Sequence, residues 1–520
     1  MSGCFDDDKH FVDLPIASQA SYLALSTLVG AIKDDGITIP PISELLELFA
    51  KEPSGQILHL PQDYSTVPHD FLPNVMETGA RDWALFAECK EAKLGTLLPM
   101  RHYFFVPGQR FRELYYWDTY WVVRGLLVSG MLHSAKVVVT NLIDLLATHG
   151  FVPNGSRIYY LNRSQPPLLS HMVSAIFEAE RDRAWLHAAF PALEREYRYW
   201  TSAPKQLRVR AAWQGQGAVH QLARYYADTE EPRPEGYRKD VQAAAGLSDT
   251  DAKQRYREIA STAESGWDFS SRWGLKTTHV IPADLNSFLL MMEKNMQLFA
   301  QELGQTDKAD QYAAAASRRR AAIAQLMAVQ DRPGVWTDLV VVSACRESCT
   351  GNTNVYVVRQ RQRAGSYASD YLPIWAGLAE CPEDVLAGLG TMHSASLVHD
   401  GGIATSDMKG TGNQWDGSNA WPPLQAMLIE GLHQHGGTQG QHCAKHLAQS
   451  WLSSNHLGWL KYGKMFEKMD AERPGEPGGQ GEYEVQTGFG WSNGVVLQFL
   501  HQYGWQPELL QERKPWVQED

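Results

Sequence analysis

Apolar residues recurring every three or four positions, halted repeatedly by glycine, constrain this chain more than any other feature. "HSAKVVVTNLIDLLATHG" keeps that spacing up to Gly150, and "LNSFLLMMEKNMQLFAQELG" keeps it up to Gly304. The same pattern runs through "KADQYAAAASRRRAAIAQLMAV", "PEDVLAGLGTM", "WPPLQAMLIEGLHQHGG", "QHCAKHLAQSWLSSNHLG" and "GVVLQFLHQYG". Glycine just past the last apolar position is a common helix stop, because it adopts the left-handed conformation without strain. Strand signals are few, and "VWTDLVVVSA" is the clearest. The periodicity therefore predicts an all-α fold.

Between the periodic stretches lie long segments at 103–118, 151–167, 229–240, 264–273, 410–423 and 465–491. Connections of that length in a compact domain are usually functional or disordered. These are rich in aromatic and charged residues together, which argues against disorder. Only 471–481, "AERPGEPGGQG", has a flexible composition, and it is expected to act as a lid. No linker, fixed-period repeat or low-complexity block divides the chain.

Several function classes fall away. A formal net charge of -12 does not suit a general phosphate-binding surface, so no nucleic-acid partner is expected. Six cysteines are too few for a disulfide scaffold, and Cys345 and Cys349 have no second Cys/His pair at ligand spacing. No metal or cofactor is expected. The start, "MSGCFDDDKHFVDLPIASQ", has neither a basic region nor an early apolar run, and no stretch is long and apolar enough to span a bilayer. The expectation is a cytoplasmic protein with no membrane partner. There is no Gly-x-Ser-x-Gly elbow, Walker A loop, His-Glu-x-x-His or dinucleotide fingerprint.

What remains is carboxylates, arginines and aromatics. "VPGQRFRELYYWDTYW" sets Arg110, Arg112, Glu113 and Asp118 among Phe111, Tyr115, Trp117 and Trp121. "YYLNRSQPPLL" places Arg163 and Gln165 before two prolines, "EPRPEGYRKD" holds Arg233 and Glu235, and "NQWDGSNAWPP" holds Trp415 and Asp416. "ESGWDFSSRW" inserts Asp268 between Trp267 and Phe269, and Glu467 and Glu482 flank the glycine-rich segment. Aromatic faces suit the C–H faces of sugars, and fixed arginine donors suit their hydroxyls. Taken singly, each cluster also fits core aromatics beside surface ion pairs. Together they match glycoside hydrolysis, in which one carboxylic acid protonates the leaving oxygen while another carboxylate acts on water or carbon.

"PGQRFRELYYWDTYW" and "QWDGSNAWPP" resemble the two trehalase signatures, usually written PGGRF-x-E-x-Y-x-WD-x-Y and QWD-x-P-x-GW-x-P. "YLNRSQPP", "RPEGYR", "ESGWDFSSRW" and "GEYEVQTGFGWSNGV" are similar to other trehalase segments in the same order, and "FDDDKHFVDLPI" resembles the family's DSK-x-F-x-D stretch. The resemblance, to glycoside hydrolase family 37, runs from about Phe5 to about Tyr503. It implies an (α/α)6 barrel with long loops forming the active-site face. It implies one catalytic domain over 1–520, with 1–60 as an N-terminal extension packing on the barrel. It implies hydrolysis of α,α-trehalose to two glucoses with inversion, by a monomer. By motif, Asp268 corresponds to the general acid and Glu467 to the general base. Arg110, Asn154, Arg163, Arg233, Glu235 and Gly266 correspond to substrate-binding positions. Phe111, Tyr115, Trp117, Asp118, Gln165, Trp415, Asp416 and Glu482 are expected to line the same pocket. An inverting pair should stand ~6.5–9.5 Å apart to admit water. Three departures bear on loop shape: Gln109 for Gly, Gly417–Ala420 for a Pro-containing stretch with Ala420 at the Gly position, and Gln480 within the glycine run. Two other outcomes stay open: a related (α/α)6-barrel glucosidase with a different substrate, and a catalytically impaired trehalose-binding protein.

Overall fold

The structure is a computed structural model that describes residues 96–108, 110–214, 217–346, 354–479, 481, 483–512 and 514–516, together with Lys9 and the backbone of 86–87. The expected 1–60 extension, Gln109, Gln480, Glu482 and Cys349 lie outside the described residues, Lys9 excepted.

The helices sort by how many of their faces are apolar. α1 (Asp118–Val128), α2 (Leu132–His149), α3 (Leu169–Glu180) and α4 (Arg183–Trp200) come first. α5 (Tyr237–Ala243), α6 (Asp249–Glu264), α7 (Ala283–Glu302) and α8 (Thr306–Leu326) follow. α9 (Pro382–Ser394), α10 (Pro422–His435), α11 (Gly437–Tyr462) and α12 (Gly490–Tyr503) complete the set. On α10 every residue from Pro422 to Leu432 is buried, so the helix has neighbours on all sides. α8 is buried only along Ala309, Tyr312, Ala316, Arg319, Ala322, Ile323 and Leu326, a single stripe of a helix with one face to solvent.

That difference makes two layers. The inner ring runs α1, α3, α7, the 3-10 segment Ala368–Ile374, α10 and α12, and α12 packs back onto α1 to close it. Outside it, α2 covers α1 and α3, α4 covers α3 and α7, α8 covers α7, α9 covers the 3-10 segment and α10, and α11 covers α10 and α12. This is the expected (α/α)6 barrel. The closing contact is tight: a Cβ on Gly494 of α12 would lie 2.1 Å from the Trp121 carbonyl of α1, so any side chain there would force the two helices apart.

A five-stranded sheet is attached to the barrel. Its strands are β1 (Gln206–Ala211), β2 (His220–Ala223), β3 (Val280–Ile281), β4 (Leu339–Arg346) and β5 (Asn354–Gln360), in the order β2-β1-β5-β4-β3. β1 and β5 are parallel with Val209 opposite Tyr356, and the other pairs are antiparallel. Only β4 corresponds to the strand signal in "VWTDLVVVSA". Among the described residues, no helix is long and apolar enough to cross a membrane.

Candidate active site

The six long segments converge. Five of them lead into an inner helix: 103–118 into α1, 151–167 into α3, 264–273 towards α7, 410–423 into α10 and 465–491 into α12. Together with 229–240 they line one cavity at that end of the ring, with about 740 Å³ of empty space when the part open to solvent is counted. Helix N-termini carry partial positive charge, which favours carboxylates at this end of the barrel. Asp118 takes up one such position, in the first turn of α1.

The stretch Glu264–Trp273 puts its charged side chains in different surroundings. Glu264 is fully buried and accepts from Lys205 Nζ at 2.6 and 2.7 Å, from the Ser164 amide at 2.9 Å and from the Tyr226 amide at 2.8 Å. It therefore ties this segment to the 151–167 loop. Arg272 is also fully buried. It is sandwiched by Trp267 and Trp273, with its guanidinium carbon 4.9 and 4.3 Å from the ring centres, and it pairs with Asp284 at 2.6 Å and Asp338 at 2.9 Å. Both flanking charges are thus braces within the protein. Asp268 between them is half-buried and lines the cavity.

Its loop is clamped from the 410–423 segment. Gln414 Nε2 donates to the Asp268 carbonyl at 2.7 Å, and the Trp415 amide donates to the Phe269 carbonyl at 3.0 Å. Asp416 accepts from Ser270 Oγ at 2.8 Å, from the Ser271 amide at 2.9 Å, and from Thr411 and Asn413. The expectation that Asp416 lines the pocket is corrected here: it is not among the lining residues, and its carboxylate is occupied in holding the Asp268 loop.

Glu467 reaches the same cavity from the far end of the sequence. It is buried, with Tyr483 Oη donating to Oε1 at 2.7 Å and the Gln486 amide near Oε2 at 3.4 Å. Burial pushes its carboxyl above the ordinary value, while Lys468, Tyr483, the Gln486 amide and Arg110 pull against that rise. Burial pushes Asp118 up strongly, and the nearby charges of Glu467 and Asp268 push it further. These mutual influences fit Asp118, Asp268 and Glu467 sharing one enclosed space.

The expected binding residues Arg110, Phe111, Tyr115, Trp117, Asp118, Asn154, Arg163, Gln165, Arg233, Glu235, Gly266 and Trp415 all line this cavity. Arg163 donates to Asn154 Oδ1 at 3.0 Å and to Glu235 Oε1 at 2.5 Å. Despite its burial, Glu235 is held below the usual carboxylate range by Arg163 and Arg233. Arg233 is fixed by two donor bonds to Asp240, at 3.0 and 2.8 Å, and lies over Phe269 with its guanidinium carbon 4.8 Å from the ring centre. Trp415 stacks on Trp421 at 4.0 Å and packs near Trp267 and Trp117, forming an aromatic wall.

Gly266 contributes by having no side chain. Its φ is +74°, and a Cβ would lie 2.7 Å from the Trp117 ring. Gly266→Ala is therefore expected to cost roughly 1–3 kcal/mol from overpacking and to displace Trp117 into the cavity. The checks are a lowered thermal unfolding temperature and a raised KM; an unchanged KM would place Trp117 outside the substrate's reach.

Sequence reasoning missed Tyr160, Tyr483, Phe489 and Trp491, which also line the cavity, and Asp240, which orients Arg233. Tyr483 and Trp491 fall inside "GEYEVQTGFGWSNG", and Asp240 ends "EPRPEGYRKD", so their proximity to recognised residues was the available signal. The segment expected to be flexible is fastened where it is described. Glu476 accepts from Lys461 and from Tyr462 Oη at 2.6 Å, Arg473 donates to Asp470 at 2.7 Å, and the Gly479 amide donates to Asn419 Oδ1 at 2.9 Å. Ala420, at a position where the signature has Gly, is in a short ladder opposite Met469 and needs no glycine conformation.

A family model described as "Trehalase" matches residues 4–504. A trehalase of Arabidopsis thaliana is 37% identical over 532 residues, covering 97% of this chain and 83% of that protein. A human trehalase is 37% identical and covers 97% of this chain and 87% of its own length. Among solved structures, the neutral trehalase of Saccharomyces cerevisiae superposes with a TM-score of 0.60 at 25% identity, over 77% of this chain and 73% of that one. A mannosylglycerate hydrolase of Thermus thermophilus, with a TM-score of 0.52 at 15% identity over 81% of this chain and 98% of its own, shares the fold.

Proposed function

The chain belongs to the trehalase family and hydrolyses α,α-trehalose, and from that premise we propose how its cavity does so. Asp268 is the general acid and Glu467 the general base of an inverting reaction. Asp268 gives its proton to the oxygen joining the two glucoses as the bond from that oxygen to one anomeric carbon breaks. Glu467 takes a proton from a water whose oxygen bonds to the same carbon from the opposite face. The attacked glucose leaves as the β-anomer and its partner as the α-anomer.

One observation carries this reading: carboxylates 199 residues apart in sequence (467 minus 268) line a single cavity, in which Glu235 is paired with Arg163 and Arg233. Arg163, Glu235 and Arg233, held by Asn154 and Asp240, form a fixed set of donors and acceptors for the hydroxyls of the glucose that is not attacked. Their rigidity turns binding energy into orientation of the bond to be broken. Trp117, Trp415 and Trp421 offer flat faces to the ring C–H groups and keep bulk water out.

The test is NMR of the first turnover of trehalose by the purified chain. Equal amounts of α- and β-glucose are expected. α-Glucose alone would indicate retention and remove Glu467 from the role of base. Maltose, kojibiose and nigerose should release no glucose at a comparable rate.

A further inference from the structure

Lys468 is a lysine with no solvent exposure, next in sequence to Glu467. Glu467 lines the cavity, and Lys468 is not among the lining residues. Its Nζ lies 3.3 Å from Gln414 Oε1 and 4.8 Å from the centre of the Trp421 ring. The other end of the Gln414 amide donates to the Asp268 carbonyl at 2.7 Å. The stem is covered by the glycine-rich segment: the Gly478 amide donates to the Lys468 carbonyl at 3.0 Å, and a Cβ on Gly478 would lie 2.8 Å from Lys468 Cγ. The chain thus encloses an ammonium group whose contacts reach both reacting residues, the base through the backbone and the acid loop through one glutamine.

We propose that Lys468 is a positioning residue for the hydrolytic pair, keeping Glu467 anionic and anchoring the Asp268 loop through Gln414. This rests on the assignment of acid and base given above. A buried cation beside a buried carboxylate favours the ionised form of that carboxylate. The charged and titratable groups around Glu467 are Lys468 on its own segment, Tyr483 from the following segment, Arg110 from the 103–118 loop, and Asp118 and Asp268, which line the same cavity. Of these, Lys468 opposes the effect of burial on Glu467 most strongly. Burial lowers Lys468 itself to about 8, with Glu467 acting against that fall, so the ammonium form holds through neutral pH.

The test compares Lys468→Met and Lys468→Arg with the parent enzyme. With Lys468→Met, kcat should fall at least ~10-fold while KM stays nearly constant. The acid limb of kcat/KM should rise by about one pH unit, because Glu467 without its cation must be deprotonated at higher pH. Lys468→Arg keeps the charge and should return the limb towards the parent position. If Lys468→Met is insoluble, Lys468→Gln serves with the same expected outcomes. An acid limb that stays in place in the neutral variant overturns the proposal whatever happens to kcat, since a purely structural lysine would lower activity without moving it. So does an arginine variant as shifted as the methionine variant. Glu467→Gln is assayed in parallel: high activity there would reject the base assignment itself, a result separable from failure of the lysine proposal.

Discussion

Asp268→Asn should lower kcat on trehalose by about two to four orders of magnitude, the range carried by general acid catalysis. Asparagine is close to isosteric, and the bonds from the Gln414 side chain and the Trp415 amide to the loop carbonyls do not involve the carboxylate, so the fold should persist. The informative comparison is a substrate that needs no proton on departure. α-Glucosyl fluoride loses fluoride without acid help, so Asp268→Asn should retain much of the parent rate on it while failing on trehalose. Equal losses on both substrates would mean that Asp268 does something other than protonate the leaving oxygen.

Glu467→Gln should be at least as damaging and should fail on both substrates, since water activation is common to them. Its proposed place opposite the acid gives a second signature. Added azide needs no base, and in this variant it should attack to give β-glucosyl azide. Recovery of turnover without that product would remove Glu467 as base. The parent enzyme's pH profile follows from the same residue. Burial raises the Glu467 carboxyl above 4.5, and the base works only when ionised, so activity should fall as pH drops through a value above the ordinary range for glutamate. A limb at or below 4.5 would contradict this environment.

Much of this was legible because it depends on local rules. α2 and α7 end near the glycines that marked them, and the six long segments were identifiable as non-periodic, aromatic and charged. β1 was not. In Gln206–Ala211 the inward residues Leu207, Val209 and Ala211 alternate with charged ones, but the run is short and its parallel partner lies about 147 residues later (356 minus 209). The site was legible residue by residue, and its internal contacts were not. Asp416 was expected in the pocket because it stands in the second signature, yet neighbours in a loop need not face the same way. Nothing in the sequence sets Lys468 apart from other lysines, and its partner Gln414 lies 54 residues earlier. Such pairings are set by tertiary structure, and periodicity carries no trace of them.

The closure of α12 against α1 has a consequence for biosynthesis. Trp491, near the start of that helix, is one wall of the cavity, and Gly494 fits directly onto the first ring helix. A nascent chain can therefore make most of its helices yet have no place to hold a sugar until residues near 503 leave the ribosome. Fragments ending before residue 490 should expose the apolar inner faces of α1 and α10 and be taken up by chaperones, with no partial enzyme formed on the way.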